Sequence, residues 1–95
     1  MPELRLKPRA RRDLNDIWFY SRERWSEEQA NRYYAALSDA LKSLLVDANR
    51  GAPLDVRRGY RKLASGSHFI YYRAIPAGVE VVRILHQAMD AKRHL

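Results

Sequence analysis

One stretch of the chain restricts its folding more than any other. Ala30, Tyr33, Tyr34, Leu37, Leu41, Leu44, Leu45 and Ala48 recur at intervals of three and four. On an α-helix that spacing gathers them on one face, an apolar stripe that a second layer must cover. Ser26-Glu27-Glu28-Gln29 opens this helix with a capping box: a Ser N-cap, acidic residues in the first turn and Gln at N3. Gly51 and Pro53 are expected to end it. Upstream, Ala10, Leu14, Ile17, Trp18 and Ser21 also fall at helical spacing, from Pro8 in the first turn to near Trp25. Two helices joined this closely make a hairpin.

The period then drops to two. Tyr60–Ala64, Ser67–Ile75 and Val79–His86 read as strands, separated by turns at Ser65-Gly66 and Pro76-Ala77-Gly78. Glu3–Lys7 alternates as well and reads as an edge strand. The tail Gln87–Leu95 has room for one short helical turn. The predicted order is β-α-α-β-β-β, an α+β fold with the helical hairpin packed on a small, mainly antiparallel sheet. Ninety-five residues hold one domain, 1–95. The Tyr33/Leu37/Leu41/Leu44 face is its expected core.

Little in the sequence points to turnover chemistry. Without cysteine, disulfides, thiolate nucleophiles and Cys-based metal sites are excluded. His68, His86 and His94 lie in three different elements, so no metal site is expected. Asp13 and Asp16 read as helix-surface residues, Glu27 and Glu28 as cap residues, and Asp90 as a local cap or an Arg partner. The four glycines stand singly at chain reversals, so no phosphate loop and no cofactor are expected. The basic N-terminus precedes no apolar core, and no apolar run approaches membrane length, so neither a signal peptide nor a membrane span is expected.

The charge is more informative. Eighteen Lys and Arg, fourteen of them Arg, face eleven Asp and Glu, giving +7. Such an excess suits an acidic partner, either nucleic acid or an acidic protein segment. The cations concentrate in the strand half, at Arg57, Arg58, Arg61, Lys62, Arg73, Arg83, Lys92 and Arg93, with Tyr60, Tyr71 and Tyr72 among them. Arg83, set between Val81 and Leu85 on one strand face, requires either a partner or a function. The candidate partner-binding residues are Arg61, Tyr71, Arg73, Arg83 and His86, with no catalytic set.

Three segments carry a family resemblance: Tyr60-Arg61-Lys62-Leu63, Gly66-Ser67-His68-Phe69-Ile70-Tyr71-Tyr72-Arg73, and Val82-Arg83-Ile84-Leu85-His86-Gln87-Ala88-Met89-Asp90. Together with Pro8-Arg9-Ala10 and Asp13-Leu14-Ile17, the chain resembles the ParE branch of the RelE/ParE toxin superfamily. That resemblance implies a cytoplasmic toxin of a type II toxin–antitoxin system. It implies a ParD-like antitoxin that wraps the toxin with its C-terminal segment and contacts operator DNA through its own N-terminal dimer. The implied target is DNA gyrase, and the implied action is occupancy, without enzymatic turnover. The alternative RelE branch cleaves ribosome-bound mRNA with basic residues on the middle strands, an Arg after the last strand and a C-terminal Tyr. Only Arg61 matches that set, while Leu63, Phe69, Met89 and Leu95 stand at the other positions. A one-residue slip over Ser65–Ser67 would bring His68 and Arg73 into it. A third reading is a degenerate toxin that only binds its partner and regulates transcription.

Overall fold

The computed structural model describes residues 1–95. β1 (Glu3–Leu6) leads into α1 (Pro8–Arg24) and α2 (Glu27–Val46). β2 (Ala52–Pro53), β3 (Tyr60–Ser65), β4 (His68–Ile75), β5 (Gly78–His86) and the short α3 (Ala91–His94) follow. The predicted order holds, with β2 as the one strand added. The sheet runs β1-β5-β4-β3-β2; only the β1–β5 pair is parallel.

The α2 stripe covers one face of this sheet as expected. Leu37, Leu41 and Leu44 pack with Ala10, Leu14 and Ile17 of α1 onto Ile70, Tyr72, Val79, Val81 and Ile84. The stripe is shorter than its spacing suggested. Tyr33 is half-buried at the rim, where its hydroxyl meets the turn between β3 and β4, and Tyr34 is exposed. At the start of α2 the Ser26 hydroxyl accepts the Gln29 N–H at 3.0 Å, as the capping pattern predicts.

The end of α2 departs from expectation. The helix stops at Val46, five residues before Gly51, and the Asp47 N–H donates to the Ser43 carbonyl. Gly51 is there for closeness, not for capping. A Cβ on it would lie 2.6 Å from the Lys62 carbonyl and 2.7 Å from the Tyr72 hydroxyl. That hydroxyl accepts the Gly51 N–H and donates to the Ala48 carbonyl, each at 2.8 Å, fastening the loop after α2 to the sheet.

One irregularity decides which way the last strand points. β4 and β5 pair Tyr72 with Val81 but Tyr71 with Arg83, so Val82 is an extra residue on β5. Such a bulge changes the parity of everything beyond it. Val81 and Leu85, read from alternation as sharing a face with Arg83, therefore point to opposite faces. The outer face is not left bare either. Tyr60, Tyr71, Val82 and Leu85 form a second small cluster there, covered by Leu54, Phe69, Ala91 and Leu95. Tyr71, expected as a surface aromatic, is buried in it.

Candidate functional site

β1 flanks β5 only from Gly78 to Val81. After Leu6 the chain swings into α1, whose N-cap Lys7 donates its N–H to the Val81 carbonyl. Val82–His86 therefore has no strand on its outer side. The Gln87 N–H pairs with the Ser67 carbonyl, and the antiparallel register places Ile70 opposite Ile84 and His68 opposite His86. By the alternation of such a ladder, the backbone groups of Ile84 and His86 face away from β4. A cleft of about 780 Å³ lies along this edge, between it and α1.

Asp13 organises the floor of the cleft. Its carboxylate accepts Arg83 Nε at 2.8 Å, Arg83 Nη2 at 2.9 Å and the Ile84 N–H at 2.9 Å. The two side chains are only 14% and 16% exposed. Arg83 also donates to the His94 carbonyl at 3.4 Å. The hydrogen bonds to Asp13 raise the Arg83 pKa further above its ordinary value, against the pull of burial. Asp13 is therefore no surface residue. It follows Ala10 by three positions and precedes Ile17 by four, which puts it on the inward side of α1; that spacing was the missed signal.

Tyr33 and His68 close one end of the cleft. The Tyr33 hydroxyl accepts the Ser67 N–H at 2.8 Å, lies 2.7 Å from His68 Nδ1 and reaches the Ser65 carbonyl at 3.4 Å. Gly66 permits this contact: it has φ +56°, and a Cβ would fall 2.6 Å from the Tyr33 ring. The His68 and His86 rings stand edge to face with centroids 5.4 Å apart. His86 Nδ1 accepts the Ala88 N–H at 3.1 Å. Burial, and then the proximity of His86, hold the His68 pKa below its ordinary value, while Asp13 opposes both. Tyr20 of α1 and Trp25, just past its C-terminus, border the cleft with most of their surface open to solvent. The cleft thus combines a strand edge that no other strand covers, exposed aromatics and charges of both signs, which suits a peptide segment better than a small substrate.

The five residues singled out by sequence do not converge. Arg83 and His86 line the cleft. Arg61 lies on the helix side of β3, donating to the Gly51 carbonyl at 2.7 Å and the Asn49 carbonyl at 3.4 Å. Arg73 is on the outer face, paired with Glu80 at 3.0 Å. Tyr71 is buried beneath the C-terminal segment. Asp90 does cap locally, its carboxylate accepting the Lys92 N–H.

Fold and cleft together define a small two-layer α+β domain with a cleft along one strand edge of its sheet. The profile of a family described as "ParE toxin of type II toxin-antitoxin system, parDE" matches residues 4–91. Toxin ParE1 of Caulobacter vibrioides is 44% identical over 96 residues, spanning 100% of this chain and 99% of that protein. Toxin ParE1 of Mycobacterium tuberculosis is 40% identical over 92 residues, 95% of this chain and 94% of that one. Among solved structures, the chromosomal ParDE system from P. aeruginosa superposes with a TM-score of 0.78 at 22% identity, over 90% of this chain and 96% of that one. The toxin–antitoxin complex RelBE2 from Mycobacterium tuberculosis gives a TM-score of 0.66 at 24% identity, over 92% and 100%. The chain belongs to the ParE toxin family of type II toxin–antitoxin systems.

Proposed function

We propose that this toxin acts in the cytoplasm by occupying DNA gyrase, without cleaving RNA, and is neutralised by a ParD-like antitoxin seated in the α1/β5 cleft. The cleft is the observation that carries the antitoxin assignment. Asp13 accepts the Ile84 N–H, and the His86 carbonyl accepts the Met89 N–H. The strand edge therefore has the Ile84 carbonyl and the His86 N–H left for a partner's backbone, while its exposed aromatics offer anchors for an amphipathic segment. The ParDE and RelBE2 neighbours belong to systems that pair a toxin with an antitoxin. Operator DNA is then contacted by the antitoxin's own domain.

Occupancy is favoured over scission by the state of the sheet positions that the RelE branch uses. Cleavage requires groups free to move protons and to meet phosphorane charge. Here the Arg61 guanidinium is turned onto backbone carbonyls, Leu63 packs against the main core, and Phe69 lies under Lys62. Expression without antitoxin tests the reading. Thymidine incorporation is expected to fall before translation does, and purified toxin is expected to block gyrase supercoiling. Codon-specific mRNA cleavage in a translating extract would replace it with the ribonuclease branch; unaffected growth would replace it with a binding-only protein.

A further inference from the structure

The excess positive charge is not in the cleft, where Asp13 and Asp16 offset Arg24 and Arg83. Much of it lies on the opposite side of the sheet. Lys62 Nζ sits 4.5 Å from the Phe69 ring centroid, and the Arg57 and Arg73 guanidiniums sit 4.4 and 5.8 Å from that of Tyr60. Arg57 and Lys92 flank a shallow cleft of about 430 Å³ with Val56 and Leu95. Arg73 is paired with Glu80, but Arg57, Lys62 and Lys92 take part in none of the ion pairs of the fold. Arg58 and Arg93 adjoin them in sequence and are exposed.

We propose that this outer face binds the phosphate backbone of duplex DNA, independently of sequence, through Arg57, Lys62 and Lys92. The proposal goes beyond the toxin reading, which reaches operator DNA only through the antitoxin. Three unpaired cations on one face are an electrostatic footprint for a polyanion. Duplex is favoured over single strand because base stacking needs open ring faces. Tyr60 is buried beneath Arg57 and Arg73, and Phe69 carries Lys62, so neither ring is free to take a base. An acidic protein segment fits less well, because Ala91 and Leu95 already cover the apolar residues that would anchor it.

Fluorescence anisotropy of the purified toxin with a labelled duplex of unrelated sequence tests this. Binding is expected at low salt, with log K falling against log[salt] at a slope of about −2.7 for three phosphates. Arg57→Ala/Lys62→Ala/Lys92→Ala is expected to weaken binding by roughly tenfold or more. Arg9→Ala/Arg11→Ala/Arg12→Ala, which removes equal charge from α1, is expected to change it by less than about twofold. Thermal melts confirm folding; if the triple variant unfolds, each single substitution is expected to lower the slope by about one. Equal losses from both triple variants would reduce the effect to net charge and overturn the proposal. So would preference for a single strand, absence of duplex binding, or capture of an acidic peptide by these three residues instead.

Discussion

Asp13 and Arg83, 70 residues apart, meet through two hydrogen bonds of 2.8 and 2.9 Å and join the first helix to the last strand. The same carboxylate receives the Ile84 N–H, so it satisfies both a side chain and the strand edge. A lone guanidinium or carboxylate at this depth would carry a desolvation cost that its partner now offsets.

Breaking the pair from one side is therefore expected to be severe. Asp13→Asn leaves Arg83 without a counter-charge and should destabilise the fold by about 2–4 kcal/mol in urea unfolding. Asp13→Asn/Arg83→Met removes the orphaned charge and should recover part of that loss. A double variant no more stable than Asp13→Asn would show that the pair is not coupled.

Much of the fold was legible in the sequence. The α2 stripe, the Ser26 cap and the change of period fixed both helices and the three longer strands, because each depends on neighbours a few residues apart. The site depended on what lies far apart. Alternation put Val81, Arg83 and Leu85 on one face, and a single bulged residue at Val82 undid it. β2 escaped notice because two residues, one of them proline, carry no pattern; its pairing with Arg61 and Lys62 exists only once the sheet is assembled. The bond between the Tyr33 hydroxyl and His68 has no local signature either. An Arg in mid-strand did announce the need for a partner, and Asp13 on the inward side of a helix was its counterpart.

The α2 stripe sets a stability test. Leu41 is 3% exposed in the main cluster. Leu41→Ala should cost about 2–5 kcal/mol through lost burial and the remaining cavity. A loss below about 1 kcal/mol by chemical denaturation would mean that another face of α2 is buried.

Tyr72 tests the fastening after α2. Tyr72→Phe keeps the ring in the core but removes both hydrogen bonds of its hydroxyl, leaving the buried Gly51 N–H without that partner. The expected cost is about 1–3 kcal/mol. Amide exchange should quicken at Gly51; an unchanged rate there would contradict the assignment.

His68 gives the fold a pH dependence of defined sign. Its folded pKa lies below the ordinary 6.5, chiefly through burial. Protonation is thus easier in the unfolded chain, so the His68 contribution is complete above 6.5 and is lost as pH falls toward the folded value. Between about pH 7 and pH 5 the wild type should lose more stability than His68→Gln, which cannot titrate. Parallel curves for the two proteins would show that acid sensitivity arises elsewhere.

The cleft itself is tested by its exposed rims. Tyr20 and Trp25 are 61% and 60% exposed and contribute little to the core, yet both border the open edge of β5. Large aromatics so placed gain most of their burial from a bound chain, and such anchors carry much of an interface's energy. Tyr20→Ala and Trp25→Ala should leave thermal unfolding nearly unchanged while raising the Kd for the antitoxin by roughly tenfold or more. Phe19, also exposed but outside the cleft lining, supplies the control. If Phe19→Ala weakens antitoxin binding and the two cleft variants do not, the partner lies on the outer side of α1 and the strand edge is left for another chain.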